Sequence, residues 1–371
     1  MKSATLVSRK LVFALIAVGL WLISQAAHAA DPDFDESHAF LHVVIDGKPY
    51  RLDSLVVKKT GSAGRLPVAL ITHGTALSKA EIRSEDTDKF APRARDLALR
   101  GWLAVVVIRR GYGRSDGAVP QESCKRPRVK EGIDAAADDL QAVMDVMKER
   151  PDVDPSRIIA IGDSTGGATV VGLGARNPPG LVGVVSVSGG MRLECANWQD
   201  KLIDAYGAYG STSRVPDLWI YAKNDSYFGP ELTNRLRAAL VGGGGNVKLE
   251  ELDPFMKEGH YLFLQGGMQW LRELDDFLQN HKLPTWSYTD VSALQRHLAL
   301  RFGGQQVAVA YLTAPVPKAM AFSTHARLAY YQYDGDIPLA TIRNLALARC
   351  KEARNSDCSI VMENDRWVGP Q

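Results

Sequence analysis

The chain has 371 residues, 46% hydrophobic and 23% charged, with a formal net charge of +2. That length supports one large core plus a smaller unit. The balanced charge, with no basic block or Arg/Lys-rich helix, excludes a nucleic-acid partner from the expectations. Four cysteines without C-x-x-C spacing, and no H-E-x-x-H, leave no metal signature, and no cofactor is expected.

Residues 1–29 read as an export signal. Lys2, Arg9 and Lys10 precede an apolar stretch over residues 11–23, and Ala27-His28-Ala29 fits a small-x-small cleavage site. The stretch is shorter than the ~20 residues that span a bilayer. The first cysteine is Cys124, which argues against a lipid-anchored end and against a stable membrane anchor. Removing these residues takes the formal net charge from +2 to −1. An exported, soluble protein, periplasmic or secreted, is the expectation. That compartment permits disulfides. Cys350 and Cys358 are close in sequence, and the export signal makes them a predicted pair; Cys124 and Cys195 remain as a second pair, although sequence alone does not choose among the three pairings.

Residues 39–60 alternate apolar and polar around Asp46-Gly47, a hairpin signal. Strands and helices then alternate. Strands are expected over residues 66–72, 102–108, 158–161, 182–187, 218–222 and 247–252. Helices are expected over 86–99, 129–149, 166–176, 231–240 and 268–280. Unalternating runs of Val, Ile and Leu mean strands buried on both faces, hence a mostly parallel sheet covered by helices. Residues 188–214 have little clear period and are expected to roof part of the site. After Leu283-Pro284 the pattern changes to a small α+β module over 285–371. There the patterning predicts a helix over 291–300, strands over 306–312 and 318–333, a helix over 339–353 and a final strand from Cys358. The main α/β core is expected to span residues 39–282.

The chemistry concentrates at Gly162-Asp163-Ser164-Thr165-Gly166, a G-x-S-x-G elbow between an apolar strand and a helix. Such a turn lifts the hydroxyl out of the strand while the helix N-terminus aims N–H groups at the same spot. Gly113-Arg114-Ser115-Asp116-Gly117 matches the same pattern, but Ala118-Val119-Pro120 follows it and no helix does. Ser115 is therefore read as a structural turn residue and Ser164 as the nucleophile. Downstream, Asp225 lies in the polar turn after the strand over 218–222 and His260 lies in the loop after 247–252, completing the chain order Ser, acid, His. The rivals Asp253 and Glu258 follow the later strand. His73, beside Gly74, is expected to order its loop rather than act as a base. The N–H groups of Thr165 and Thr75 are the expected oxyanion donors.

Thr72-His73-Gly74, the run from Arg110 to Gly117, the elbow, Asn224-Asp225 and Gly259-His260 together resemble the α/β-hydrolase superfamily. Within it the chain is similar to dienelactone-hydrolase-like and prolyl-oligopeptidase-like esterases and peptidases, over roughly residues 40–282. The resemblance implies an α/β-hydrolase fold, Ser164 as nucleophile, Asp225 as acid, His260 as base, and Thr75 with Thr165 as oxyanion donors. Dienelactone hydrolases proper carry a cysteine where this chain has Ser164, and nothing N-terminal is long enough for the β-propeller of the peptidase relatives. The C-terminal stretch, with Ala346-Leu347-Ala348-Arg349-Cys350 and Asp357-Cys358-Ser359-Ile360-Val361, is similar to small appended modules. Three functions are weighed: hydrolysis of small or medium esters, cleavage of peptides or amides by the same triad, and binding without catalysis.

Overall fold

The structure, a computed structural model, describes residues 34–369 except 77, 120–127, 194, 267, 286–293, 295–296, 299–303, 315–316, 335–336, 354 and 365. The export signal expected over residues 1–29 lies outside the described residues, as does Cys124.

A hairpin of β1 (Phe34–Ile45) and β2 (Lys48–Lys59) opens the main sheet. It turns on Asp46 and Gly47 at φ 51° and 72°, the doubly positive turn that matches strand twist. Then follow β3 (Leu66–Thr72), α1 (Lys79–Ser84), α2 (Ala91–Leu99) and β4 (Leu103–Val107). Next come α3 (Val129–Lys148), β5 (Val153–Asp163), α4 (Thr165–Gly174) and β6 (Leu181–Val187). The sheet closes with α5 (Trp198–Thr212), β7 (Asp217–Ala222), α6 (Pro230–Gly242) and β8 (Val247–Leu252). Short α7 (Leu262–Gln265) and α8 (Met268–Asn280) complete this part.

The eight strands lie in the order β1-β2-β4-β3-β5-β6-β7-β8. β1 and β2 are antiparallel, and every pairing from β4 through β8 is parallel. Successive side chains of a strand face opposite sides. Ala69, Ile71, Ile159 and Ile161 therefore pack with α2 and α8, through Leu97, Trp270 and Leu274. Val68, Leu70, Ile158 and Ala160 pack with α3 and α4, through Leu140, Met144 and Val170. Both faces are covered, as the apolar runs require.

A second, antiparallel sheet has the order β10-β9-β11-β12. Its elements are α9 (Gly304–Thr313), β9 (Lys318–Ser323), β10 (Leu328–Tyr333), α10 (Leu339–Glu352), β11 (Cys358–Glu363) and β12 (Arg366–Trp367). Cys350, at the end of α10, is bonded to Cys358, the first residue of β11, with Cα atoms 6.1 Å apart. Cys195 is buried and disulfide-bonded. The Cys350–Cys358 bridge closes a loop worth about 2–3 kcal/mol in the chain-entropy treatment. Cys350→Ser should therefore lower the thermal midpoint while leaving turnover of a small ester unchanged. A scanning calorimeter and an ester assay check both halves.

Four expectations need correction. The helix expected over 86–99 is broken: Glu85 leaves α1 in an extended conformation, a 3₁₀ turn spans Asp88–Phe90, and Pro92 starts α2. Residues 198–212, expected to be irregular, form α5. Gly207 and Gly210 weaken its helical signature, yet Gly210 is demanded by packing, since a Cβ there would lie 2.0 Å from the Leu240 carbonyl oxygen. The strand expected over 306–312 is a helix. Its Val-Ala-Val-Ala alternation mimics a strand, but the buried pair Ala308 and Tyr311 is spaced for one helical face. The strand from Cys358 is followed by a last short one, β12. Of the helix expected over 291–300, residues 294, 297 and 298 are described and helical.

Candidate active site

Ser164 stands between β5 and α4 at φ 55°, ψ −121°, a backbone conformation that non-glycine residues rarely adopt. The turn is held from β6: the Ser164 N–H donates to the Val187 carbonyl at 3.1 Å, and the Ser164 carbonyl accepts from Gly190 N–H at 3.0 Å. Close approach explains the glycines around it. A Cβ on Gly162 would lie 2.0 Å from the Gly166 oxygen, and one on Gly166 2.5 Å from the His73 oxygen. The expected strand–turn–helix is present at Ser164.

His260 lies in a 3₁₀ turn, Gly259–Tyr261, after β8. Its Nε2 is 3.1 Å from Ser164 Oγ, and its Nδ1 is 3.1 Å from Asp225 Oδ2. Asp225, in the turn after β7, is buried, and its other oxygen accepts from the N–H groups of Tyr227 and Phe228, both at 2.9 Å. With the carboxylate accepting from Nδ1–H, the Nε2 lone pair faces the serine hydroxyl. Gly259 lets the two loops meet, because a Cβ there would lie 2.6 Å from Asp225 N. Asn224 ties them further, Oδ1 accepting from Phe255 N–H at 2.7 Å. The imidazole stacks on Tyr227 with ring centroids 4.3 Å apart.

The rivals are occupied elsewhere. Glu258 accepts from the His260 N–H at 2.9 Å and the Ser226 hydroxyl at 2.6 Å, so it caps the turn rather than the ring. Asp253 pairs with Lys223 at 2.9 Å on the surface. Ser115 Oγ donates to the Ile108 carbonyl at 2.6 Å and accepts from Asp53 N–H at 2.9 Å, which knits β2 to the loop after β4. His73 is buried; its Nε2 accepts from Arg109 N–H at 3.0 Å, and Nδ1 donates to the Gly74 carbonyl at 2.7 Å. Burial and the Arg109 charge hold its pKa well below the usual histidine range, so it stays neutral. Thr75 and Thr165, the expected oxyanion donors, are brought together: Thr75 Oγ1 donates to Thr165 Oγ1 at 2.6 Å. Thr165 opens α4, so its N–H has no partner inside the helix.

Sequence reasoning missed Asp163. Its Oδ1 is buried without a hydrogen bond, and burial pushes the carboxyl up to about 7, with His260 opposing and Asp225 and Glu85 adding to the rise. Its place in the elbow was visible, but nothing in the sequence showed that its carboxyl would lack a partner. Beside Thr75 and Thr165 lies a cavity of about 470 Å³, also lined by Tyr50, Tyr112, Met191 and Leu193, among others.

A mostly parallel sheet with a serine elbow after its central strand, and Asp225 and His260 after later strands, is the arrangement of the α/β-hydrolase fold. Residues 83–242 match the family described as serine aminopeptidase, S33. A candidate esterase of Nocardia uniformis subsp. tsuyamanensis, NocK, is 31% identical over 160 residues, which make up 43% of this chain and 43% of that protein. The chain thus matches less than half the length of this curated relative. Among solved structures, the Pyrococcus furiosus esterase Pf2001 aligns with a TM-score of 0.48 at 14% identity, covering 68% of this chain and 92% of that one. Est1E of Butyrivibrio proteoclasticus, solved with ferulic acid bound, aligns with a TM-score of 0.48 at 14% identity, covering 65% and 98%.

Proposed function

We propose that the protein hydrolyses carboxylic esters through an acyl-enzyme on Ser164, with His260 as general base and acid and Asp225 as its orienting carboxylate. The observation that carries this is the continuous hydrogen-bonded line Ser164 Oγ, His260, Asp225, with steps of 3.1 Å and 3.1 Å. In the first half-reaction Ser164 Oγ attacks the ester carbonyl while Nε2 takes its proton. The tetrahedral oxygen is held by the N–H groups of Thr165 and Thr75, and the imidazolium protonates the departing alkoxide. Water then repeats the sequence on the acyl-enzyme.

The leaving oxygen must sit on the His260 side to receive that proton. The cavity that touches Thr75 and Thr165 is not lined by His260, so it takes the acyl portion of the substrate. The aminopeptidase description of the matched family favours a second reading, cleavage after a free α-amine. That amine needs an unpaired carboxylate in the acyl cavity. Asp139 is bonded to Arg110 and Asp138 to Arg176, while Arg192 on the same wall makes no ion pair among the described residues. Asp46, at the hairpin tip, is the remaining acid there. This charge pattern favours acyl groups without an amine.

The test is a panel of p-nitrophenyl acyl esters beside aminoacyl anilides, with a fluorophosphonate probe. Ester turnover with one label on Ser164 is expected. Faster anilide turnover would favour the peptidase, and neither turnover nor label would leave a binding protein. Export is part of the same proposal: residues 1–29 have the pattern of a leader, and the Cys350–Cys358 bond suits an oxidising compartment. Among the described residues no helix is long and apolar enough to cross a membrane.

The pH profile follows from the environment of His260. Burial lowers its pKa, but the Asp225 hydrogen bond and the charges of Asp225, Asp163 and Glu258 outweigh burial and raise it. The base must be neutral to accept a proton, so activity rises as pH passes upward through that pKa. The acid limb of kcat/KM should therefore lie above the ordinary histidine value of about 6.5. Asp163, its own carboxyl pushed up to about 7, gains its charge only as pH rises through the limb, so Asp163→Asn should move the limb modestly to lower pH. A rate flat across the limb, or a limb moved upward, would contradict the assignment.

A further inference from the structure

Arg109, two residues beyond β4, is a buried cation, 3% exposed, with no ion pair among the described residues. A buried charge without a counter-ion is costly and persists only where its donors are well used. Here they converge on the end of β3 and the loop after it. Nη1 donates to Thr72 Oγ1 at 2.8 Å and to the His73 carbonyl, and Nη2 donates to the Gly74 carbonyl at 3.1 Å. The Gly74 carbonyl also accepts from His73 Nδ1–H, so it receives two donors, one of them charged.

That carbonyl belongs to the same peptide unit as the Thr75 N–H. The unit is planar and trans, so its C=O and N–H point in opposite directions. Holding the Gly74 oxygen toward Arg109 turns the Thr75 N–H away from it. The unit lies against the elbow: a Cβ on Gly74 would be 2.9 Å from Ser164 Cβ, and the Thr75 hydroxyl reaches Thr165.

We infer that Arg109 is a positioning residue for ester hydrolysis, clamping the Gly74 carbonyl so that the Thr75 N–H stays aimed at the developing oxyanion. The inference rests on the triad reading above. The clamp acts in two ways. It removes the freedom of the loop peptide to flip, and its charge polarises the peptide so that the N–H becomes a stronger donor. Arg109 touches neither the serine nor the imidazole through any hydrogen bond, and its role is felt only as charge develops on the substrate oxygen.

The experiment compares the parent with Arg109→Met and Arg109→Lys on p-nitrophenyl butyrate, with an alkyl trifluoromethyl ketone as a probe of oxyanion binding. The ketone adds to the serine and forms a tetrahedral oxyanion, whereas KM reports mainly on the uncharged ester. Arg109→Met should lower kcat by about 30- to 300-fold, near the loss of one oxyanion donor, with KM changed less than about threefold. The ketone inhibition constant should weaken by a similar factor. Arg109→Lys, which keeps the charge but not the fork, should fall between parent and Met.

A merely structural role predicts a lower thermal midpoint with kcat near the parent value. Unchanged kcat in Arg109→Met, or a fallen kcat with undiminished ketone affinity, would overturn the inference. Should Arg109→Met fail to fold, Arg109→Lys decides on the same two readouts. The triad reading is judged apart from this, by the parent itself. A parent that turns over the ester but is not blocked by a fluorophosphonate on Ser164 removes the serine mechanism, whatever Arg109 does.

Discussion

Ser164→Ala should abolish ester turnover, by about 10⁴- to 10⁶-fold in kcat, without loss of the fold. The hydroxyl makes its contact with the imidazole, and the backbone bonds that hold the elbow, to Val187 and Gly190, do not involve the side chain. Ser115→Ala should behave in the opposite way. It removes a hydroxyl that both donates to Ile108 and accepts from Asp53, leaving a buried strand N–H unsatisfied at a cost of about 1–3 kcal/mol. One variant is folded and inactive, the other active and less stable. Steady-state kinetics and thermal unfolding on the same two preparations distinguish them. Equal loss of turnover in both would mean that the elbow assignment is wrong.

Asp225→Asn should cost nearly as much, about 10⁴-fold in kcat, because it reverses the hydrogen bond to the ring. The amide can still accept from Tyr227 and Phe228 N–H through its oxygen, which turns its NH₂ toward His260 Nδ1. Nδ1 then becomes the acceptor and Nε2 carries the proton, facing a hydroxyl that needs a lone pair. The ring is held as before, yet it has the wrong tautomer for taking the serine proton. Glu258→Gln is the control. Glu258 binds the His260 backbone rather than its ring, so its loss should loosen the turn and lower activity far less. A Glu258→Gln variant as inactive as Asp225→Asn would transfer the orienting role to Glu258.

Much of this site is legible in the sequence, because its parts are tied to strand ends. β3 and β8 occupy the residue ranges read from apolar runs, and Asp225 and His260 follow strands as loop residues. The Asp46-Gly47 turn and the elbow glycines carry local backbone requirements that show in one-dimensional spacing. Helix α5 did not, since Gly210 serves the close approach of α6 rather than helix propensity. Helix α9 misled because alternating Val and Ala satisfies a two-residue period as readily as a helical one. Arg109 and Asp163 were out of reach for a different reason. What matters about them is the absence of an ordinary partner, and that is decided by segments far away in sequence.

The position of β8 at the margin of the main sheet bears on how the enzyme would lose activity under stress. Ser164 follows β5, flanked on both sides by paired strands, whereas His260 follows a strand with a neighbour on one side only. Margins of sheets open at lower free energy than their centres. Fraying there would withdraw His260 while leaving Ser164 seated on its intact centre, so inactivation would run ahead of unfolding. In that partly opened form the serine would be present but silent, and reversal would need only one strand to re-pair.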